Sequence, residues 1–221
     1  MDLGKWQGAR RPGRVTMDGR YAGLEPLDPQ CHGPDLLAAS QAPGAGDRFR
    51  YLFEDPPRDL ADLQGWMARV AALDDPLFFA VIDRATGRAA GRQALMRIEP
   101  AHGVIEIGNI LWNPAIAGTR VATEALYLAA AHVFDDLGYR RFEWKCHDLN
   151  APSKRAALRF GFTFEGVFRQ HMVHKGANRD TAWFAMLDRD WPALKARYQA
   201  WLAPANFDDR GGQRRRLQDC D

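Results

Sequence analysis

A chain of 221 residues with 46% hydrophobic and 26% charged residues is long enough for one globular domain with a proper core. No apolar stretch approaches the roughly 20 residues that cross a bilayer. The Arg- and Gly-rich first twenty residues lack the apolar segment of a secretory signal, so neither a membrane nor a secreted protein is expected.

The net charge of +2 is unevenly placed. Within residues 1–20, Lys5, Arg10, Arg11, Arg14 and Arg20 face only Asp2 and Asp18. Arg210–Arg216 is basic but offset by Asp208, Asp209, Asp219 and Asp221. Both ends are read as loose, solvated segments, 1–20 a basic arm and 204–221 a tail, around a domain at 21–203. Cys31, Cys146 and Cys220 are odd in number, widely spaced and without a CxxC, which points to a reducing cytoplasm.

Tyr21–Leu27 reads as a short first strand. Helices follow at Pro34–Ser40 and Leu60–Leu73, the second preceded by the N-cap candidate Asp59. Leu77–Ile82 and Ala89–Ile98 are strands about the turn Asp83–Gly87. Val104–Trp112 is the next strand, and a tight loop leads to a helix over about Arg120–Leu137, with Val121, Ala125, Leu128, Ala129 and Val133 on one face. Arg141–His147 alternates Phe142, Trp144 and Cys146 with polar residues, as a half-buried strand does. Residues 152–160 form a short helix with Pro152 in its first turn. Phe162–Val173 and Thr181–Leu187 form a hairpin, and Trp191–Leu202 a closing helix. The fold expected is α+β, with a mixed, mostly antiparallel sheet of about seven strands flanked by helices. The run from Glu106 to Phe162 sets a helix N-terminus at the mouth of two neighbouring strands, a place that suits an elongated, phosphate-bearing ligand.

Several short motifs carry a family likeness. They are Leu24-Glu25-Pro26-Leu27, Glu106-Ile107-Gly108, Ala122-Thr123-Glu124-Ala125, Asn150…Ser153…Gly161-Phe162 and Glu165-Gly166-Val167-Phe168-Arg169. Over about residues 22–192 the chain resembles the GNAT superfamily of acyl-CoA-dependent N-acetyltransferases. Within that superfamily it looks like the branch of the ribosomal-protein N-terminal acetyltransferases. The resemblance implies acetyl-CoA as cosubstrate, lying where the fourth and fifth strands splay. Its pantetheine would meet the backbone around Ile110–Trp112, with Asn150 and Ser153 nearby. Its pyrophosphate would meet Gly118, Thr119, Arg120, Val121, Ala122 and Thr123 at the helix start. In that loop the family's first basic or amide residue is Ala117 and its middle Gly is Arg120. Arg120 either supplies a charge to the phosphates or crowds them.

Acyl transfer to an amine needs a neutral amine, a polarised carbonyl and a departing thiolate. Direct attack in a ternary complex supplies this. Glu106 is the candidate base; it is read on one strand face with Val104, Ile110 and Trp112, an apolar setting, against the plainer role of a structural carboxylate. The tyrosine acid that many relatives use falls at Ala157. Ser153 then stands as acid, helix cap or CoA ligand, and Asn150 as turn former or pantetheine contact. His147 is a runner-up base. Cys146 reads as a packing thiol, Glu124 as a helix-dipole residue, and His171 and His174 as facing apart, so no metal is expected.

The function expected is therefore acetyl transfer from acetyl-CoA to a primary amine, on a protein N-terminus or a small molecule. One alternative is an acyl-CoA-binding or regulatory protein with weakened catalysis. Another is a ribosome or nucleic-acid binder acting through the arm, although a nucleic-acid partner is the less expected. An exposed sheet edge would suit a homodimer.

Overall fold

The computed structural model describes residues 3–220. Eight strands form one sheet: β1 (Met17–Asp18), β2 (Ala22–Pro26), β3 (Leu77–Asp83), β4 (Arg88–Glu99), β5 (Val104–Trp112), β6 (Arg141–His147), β7 (Thr163–His174) and β8 (Ala177–Leu187). The helices are α1 (Pro29–Gln41), α2 (Leu60–Ala71), α3 (Arg120–Ala131), α4 (Ala151–Arg159) and α5 (Trp191–Leu202). The strand order is β1-β2-β3-β4-β5-β6-β8-β7, and β5 with β6 is the parallel pair in an otherwise antiparallel sheet. The fold is the mixed α+β architecture expected, with one strand more than the seven anticipated. The extra strand is the two-residue β1, too short to carry an alternation signal.

The sheet separates two cores. Buried on both faces, β3 sends Leu77, Phe79 and Val81 into the larger one and Phe78, Ala80 and Ile82 into the smaller. The larger core is closed by α3 and α5. Ala122, Ala125, Ala129 and Ala130 let α3 lie close to the strands. The smaller core is covered by α1 and α2 through Leu36, Leu63 and Met67. Glu124 faces inward, and its carboxylate accepts from the backbone amides of Tyr21 and, at 2.7 Å, Ala22, tying α3 to the start of β2.

Three local outcomes differ from the sequence reading. Helix α1 begins at Pro29, because Asp28 caps it by accepting from Gln30 N at 2.8 Å and Cys31 N at 2.7 Å; Pro34 lies inside. Helix α3 proper ends at Ala131, and a wider π-type turn, His132–Asp136, completes the expected run. The terminal segments read as loose pack on the body, although residues 1, 2 and 221 lie outside the described residues. Trp6 Nε1 donates to Ala101 O at 2.8 Å, and Arg14 donates to Ala71 O at 3.1 Å and Leu73 O at 2.6 Å, at the C-terminal end of α2 where carbonyls lack helical partners. Phe207, Leu217 and Cys220 are buried in the larger core. Arg14 of the arm thus serves folding, which charge patterning alone does not reveal.

Candidate active site

The parallel pair β5–β6 is joined only from Val104↔Arg141 to Ile107↔Trp144. Beyond that point the strands diverge, so the β6-facing edge of β5 from Gly108 to Trp112 has no strand partner. This is the expected splay; it falls between the fifth and sixth strands because β1 adds one to the count. The cleft between them has an empty volume of about 750 Å³.

A bulge shapes this edge. Asn109 sits in the left-handed region (φ 48), and the β4–β5 register slips there, with Ala94↔Gly108 followed by Arg92↔Leu111. One inserted residue exchanges the faces of the strand. Ile105 and Ile107 lie in the larger core, as do Ile110 and Trp112 beyond the bulge, whereas Glu106 lies on the opposite face. The expectation that Glu106 shares a face with Ile110 and Trp112 is therefore corrected, for alternation holds only within an unbroken register. The bulge is held by Arg92, which donates to the carboxamide oxygen of Asn109 and pairs with Glu54. Its guanidinium also stacks 4.3 Å from the Trp66 ring centroid.

Charge, not apolar surface, surrounds Glu106. The carboxylate is 3% exposed, and its Oε2 accepts from Arg97 Nη1 at 2.6 Å and from Lys145 Nζ at 3.0 Å. Lys145 also meets Glu143 at 2.6 Å and lies 3.8 Å from the Trp183 ring centroid. The other oxygen, Oε1, points toward Gly108, where an added Cβ would meet it at 3.3 Å. An apolar box for Glu106 is thus replaced by a buried ion-pair network. Its members come from β4, β5 and β6, which local sequence cannot connect.

At the other end, the first turn of α3 is open. Gly118 is in the left-handed region (φ 79), and an added Cβ there would meet nothing. Thr119 caps the helix, its hydroxyl accepting from Val121 N at 3.2 Å. Val121 and Ala122 turn their side chains into the core, leaving only backbone for a ligand. Thr123 is fully buried; its hydroxyl donates to Thr119 O at 2.9 Å and accepts from Arg159 at 3.1 Å, so its side chain is committed within the protein. Arg120 does not lie across the helix start. Its guanidinium stacks on Tyr21 at 4.5 Å and on Phe207 at 5.3 Å. The recess beside this turn also holds Arg20, Arg84 and Arg210. Arg84 is paired with Asp18. Arg20 and Arg210 arrive from the two terminal segments, and sequence reading had no local signal for them.

Between these ends lies the start of α4. Asn150 is its cap, accepting from Ser153 N at 3.1 Å. Capping therefore belongs to Asn150 and not to Ser153. The Ser153 hydroxyl accepts from Trp144 Nε1 at 3.0 Å and borders the cleft beside the Cys146 thiol. Trp112, by contrast, spends its indole N–H on Gln93 at 3.3 Å and is a residue of the larger core. Ala157 is fully buried and offers no hydroxyl. Burial pushes the Cys146 thiol up, away from nucleophilic use. His147 is held below the usual imidazole value, by burial first and then by Arg179 and His174. Its Nδ1 accepts from Leu149 N at 3.1 Å, so the neutral ring carries its proton on Nε2 and meets the cleft as a donor, not as a base. Among the described residues no group of side chains is arranged to hold a metal ion, and no helix is long and apolar enough to cross a membrane.

A family model described as an acetyltransferase (GNAT) domain matches residues 23–163. A GCN5-related N-acetyltransferase structure from Brucella melitensis is 59% identical and superposes with a TM-score of 0.95, over 97% of each chain. A structure from Chromobacterium violaceum, described as a probable acetyltransferase of the GNAT family, is 38% identical, with a TM-score of 0.80 over 87% of this chain and 96% of that one. An acetyl transferase from Salmonella typhimurium, described as modifying the N-terminal serine of a ribosomal subunit protein, is 19% identical. Its TM-score of 0.66, over 78% of this chain and 99% of that one, shows a shared fold alone. No protein of curated function matches the chain.

Proposed function

The chain belongs to the GNAT acetyltransferase family and is an acyltransferase, and from that premise we propose that it moves an acetyl group from acetyl-CoA to a primary amine. The observation that carries this reading is the unpartnered β5 edge from Gly108 to Trp112, which runs between an open helix N-terminus and the buried Glu106. A pantetheine arm has backbone to pair with at Ile110–Trp112, and its phosphates have the first turn of α3 with Arg120, Arg20 and Arg210 at its rim. Drawn aside by its two aromatic rings, Arg120 borders the cradle without closing it.

The amine nitrogen attacks the thioester carbonyl, a C–N bond forms, and the C–S bond breaks. The proton lost by the amine passes through a water to Glu106 Oε1. Arg97 and Lys145 fix that carboxylate from its other oxygen, a positioning role. The departing thiolate takes a proton from solvent or from the Ser153 hydroxyl, which Trp144 orients. Acceptors of the ribosomal-protein type and small amines both remain within this reading. So do a cytoplasmic setting, in keeping with three free thiols, and a homodimer through edge strand β7, where Phe164, Phe168 and Val173 are exposed.

Calorimetric or thermal-shift titration with acetyl-CoA, against a control without it, tests the donor half. At 100 times its dissociation constant the ligand adds about 2.7 kcal/mol. Absence of any shift at millimolar acetyl-CoA would refute the proposal, as would absence of thiol release across a broad amine panel.

A further inference from the structure

One strongly buried cation in this cleft has no counter-charge. Arg179, on β8, is 8% exposed, and its Nε is buried without a hydrogen-bond partner. Its guanidinium lies 5.3 Å from the Phe53 ring centroid, and among the described residues it enters no ion pair. Burial depresses it, with only partial relief from Cys146 and Glu106. Arg48, on the same wall, is also desolvated and unpaired among the described residues. The one acid lining the cleft, Glu106, is already matched by Arg97 and Lys145. The acceptor side therefore carries surplus positive charge at low solvent exposure, which is costly without an anion.

We propose that Arg179 binds a carboxylate of the acceptor, so that the substrates are small amines bearing a carboxylate, the amino-acid class. This rests on the acetyl-transfer reading above and narrows it. A guanidinium presents two parallel N–H donors that match a carboxylate, and Arg179 and Glu106 line one cleft. The wall over this side is pinned. His174 Nε2 donates to Leu52 O at 3.0 Å, Lys175 Nζ meets Asp55 at 2.7 Å, and Tyr51 donates to Leu149 O at 3.2 Å. A braced wall favours a small acceptor over a protein N-terminus.

The test uses the full chain and acetyl-CoA-dependent thiol release. The acceptors are the common L-amino acids, β-alanine and γ-aminobutyrate, each matched with its own carboxamide and with a short acidic peptide series. At least one free acid should exceed its amide by tenfold or more in kcat/KM. R179M should abolish that ratio, mainly through KM for the acid, and R179K should keep part of it. Acetyl-CoA affinity should stay within twofold of the parent in both. Equal use of acids and amides, preference for peptides over every free acid, or an acid-to-amide ratio that survives R179M would each overturn the proposal. If R179M does not fold, R179K and the acid-to-amide ratio of the parent decide it. Failure of acetyl-CoA to bind removes the underlying reading as well; acetyl-CoA turnover without acid preference removes only this inference.

Discussion

The two ends of the cleft are built by opposite means. The end proposed for the donor offers mostly backbone: the bare edge of β5, a left-handed Gly118 and the first amides of α3 under the Thr119 cap. The end proposed for the acceptor offers side chains drawn from distant elements: Glu106 on β5, Arg97 from β4, Lys145 from β6 and Arg179 from β8. A backbone site tolerates substitution, because the groups that bind are common to all residues. A side-chain site does not. Chemistry and specificity should therefore be fragile at one end and donor affinity robust at the other.

The sharpest way to break this contrast is at Arg92, which holds the β5 bulge from the face covered by Trp66 of α2. Its side chain is 4% exposed and pairs with Glu54 while holding the Asn109 bulge. R92M leaves Glu54 without its counter-charge and should cost about 3–5 kcal/mol in chemical denaturation. A loss below about 1 kcal/mol would mean that the bulge stands without it.

E106Q comes next. If the carboxylate takes the amine proton, kcat should fall by about 10²-fold or more, some 2.7 kcal/mol in the barrier, with acetyl-CoA affinity unchanged. Full turnover across pH would reduce Glu106 to a structural partner of Lys145. The smallest effect belongs to the donor end. R120A removes stacking on Tyr21 and Phe207 and should cost about 0.5–1 kcal/mol of stability. It should weaken acetyl-CoA binding by less than about tenfold, since the helix amides remain. A hundredfold loss would show that the donor end, too, depends on a side chain.

Legibility in the sequence follows the same division. Strands β5 and β6 and helix α5 stand where alternation and helical periodicity put them. Asn150 is legible as a local turn-forming residue because its partner, the Ser153 amide, lies three residues away. The packing of the terminal segments is not legible in the sequence because Arg14 and Phe207 find their partners across the fold, where composition carries no information. Glu106 does not share a face with Ile110 and Trp112 because one residue, Asn109, shifts the register, and nothing in a strand-like run marks which residue will bulge.

The sequence by itself determined the α+β class, the order of its elements, the family likeness and the helix N-terminus at the mouth of two strands. These rest on local propensity, periodicity and short motifs. Only the tertiary structure decided what surrounds Glu106, where Arg120 points, and that Arg179 is buried without a partner. Those are matters of desolvation and long-range pairing, set by which strands lie side by side rather than by which residues adjoin in the chain.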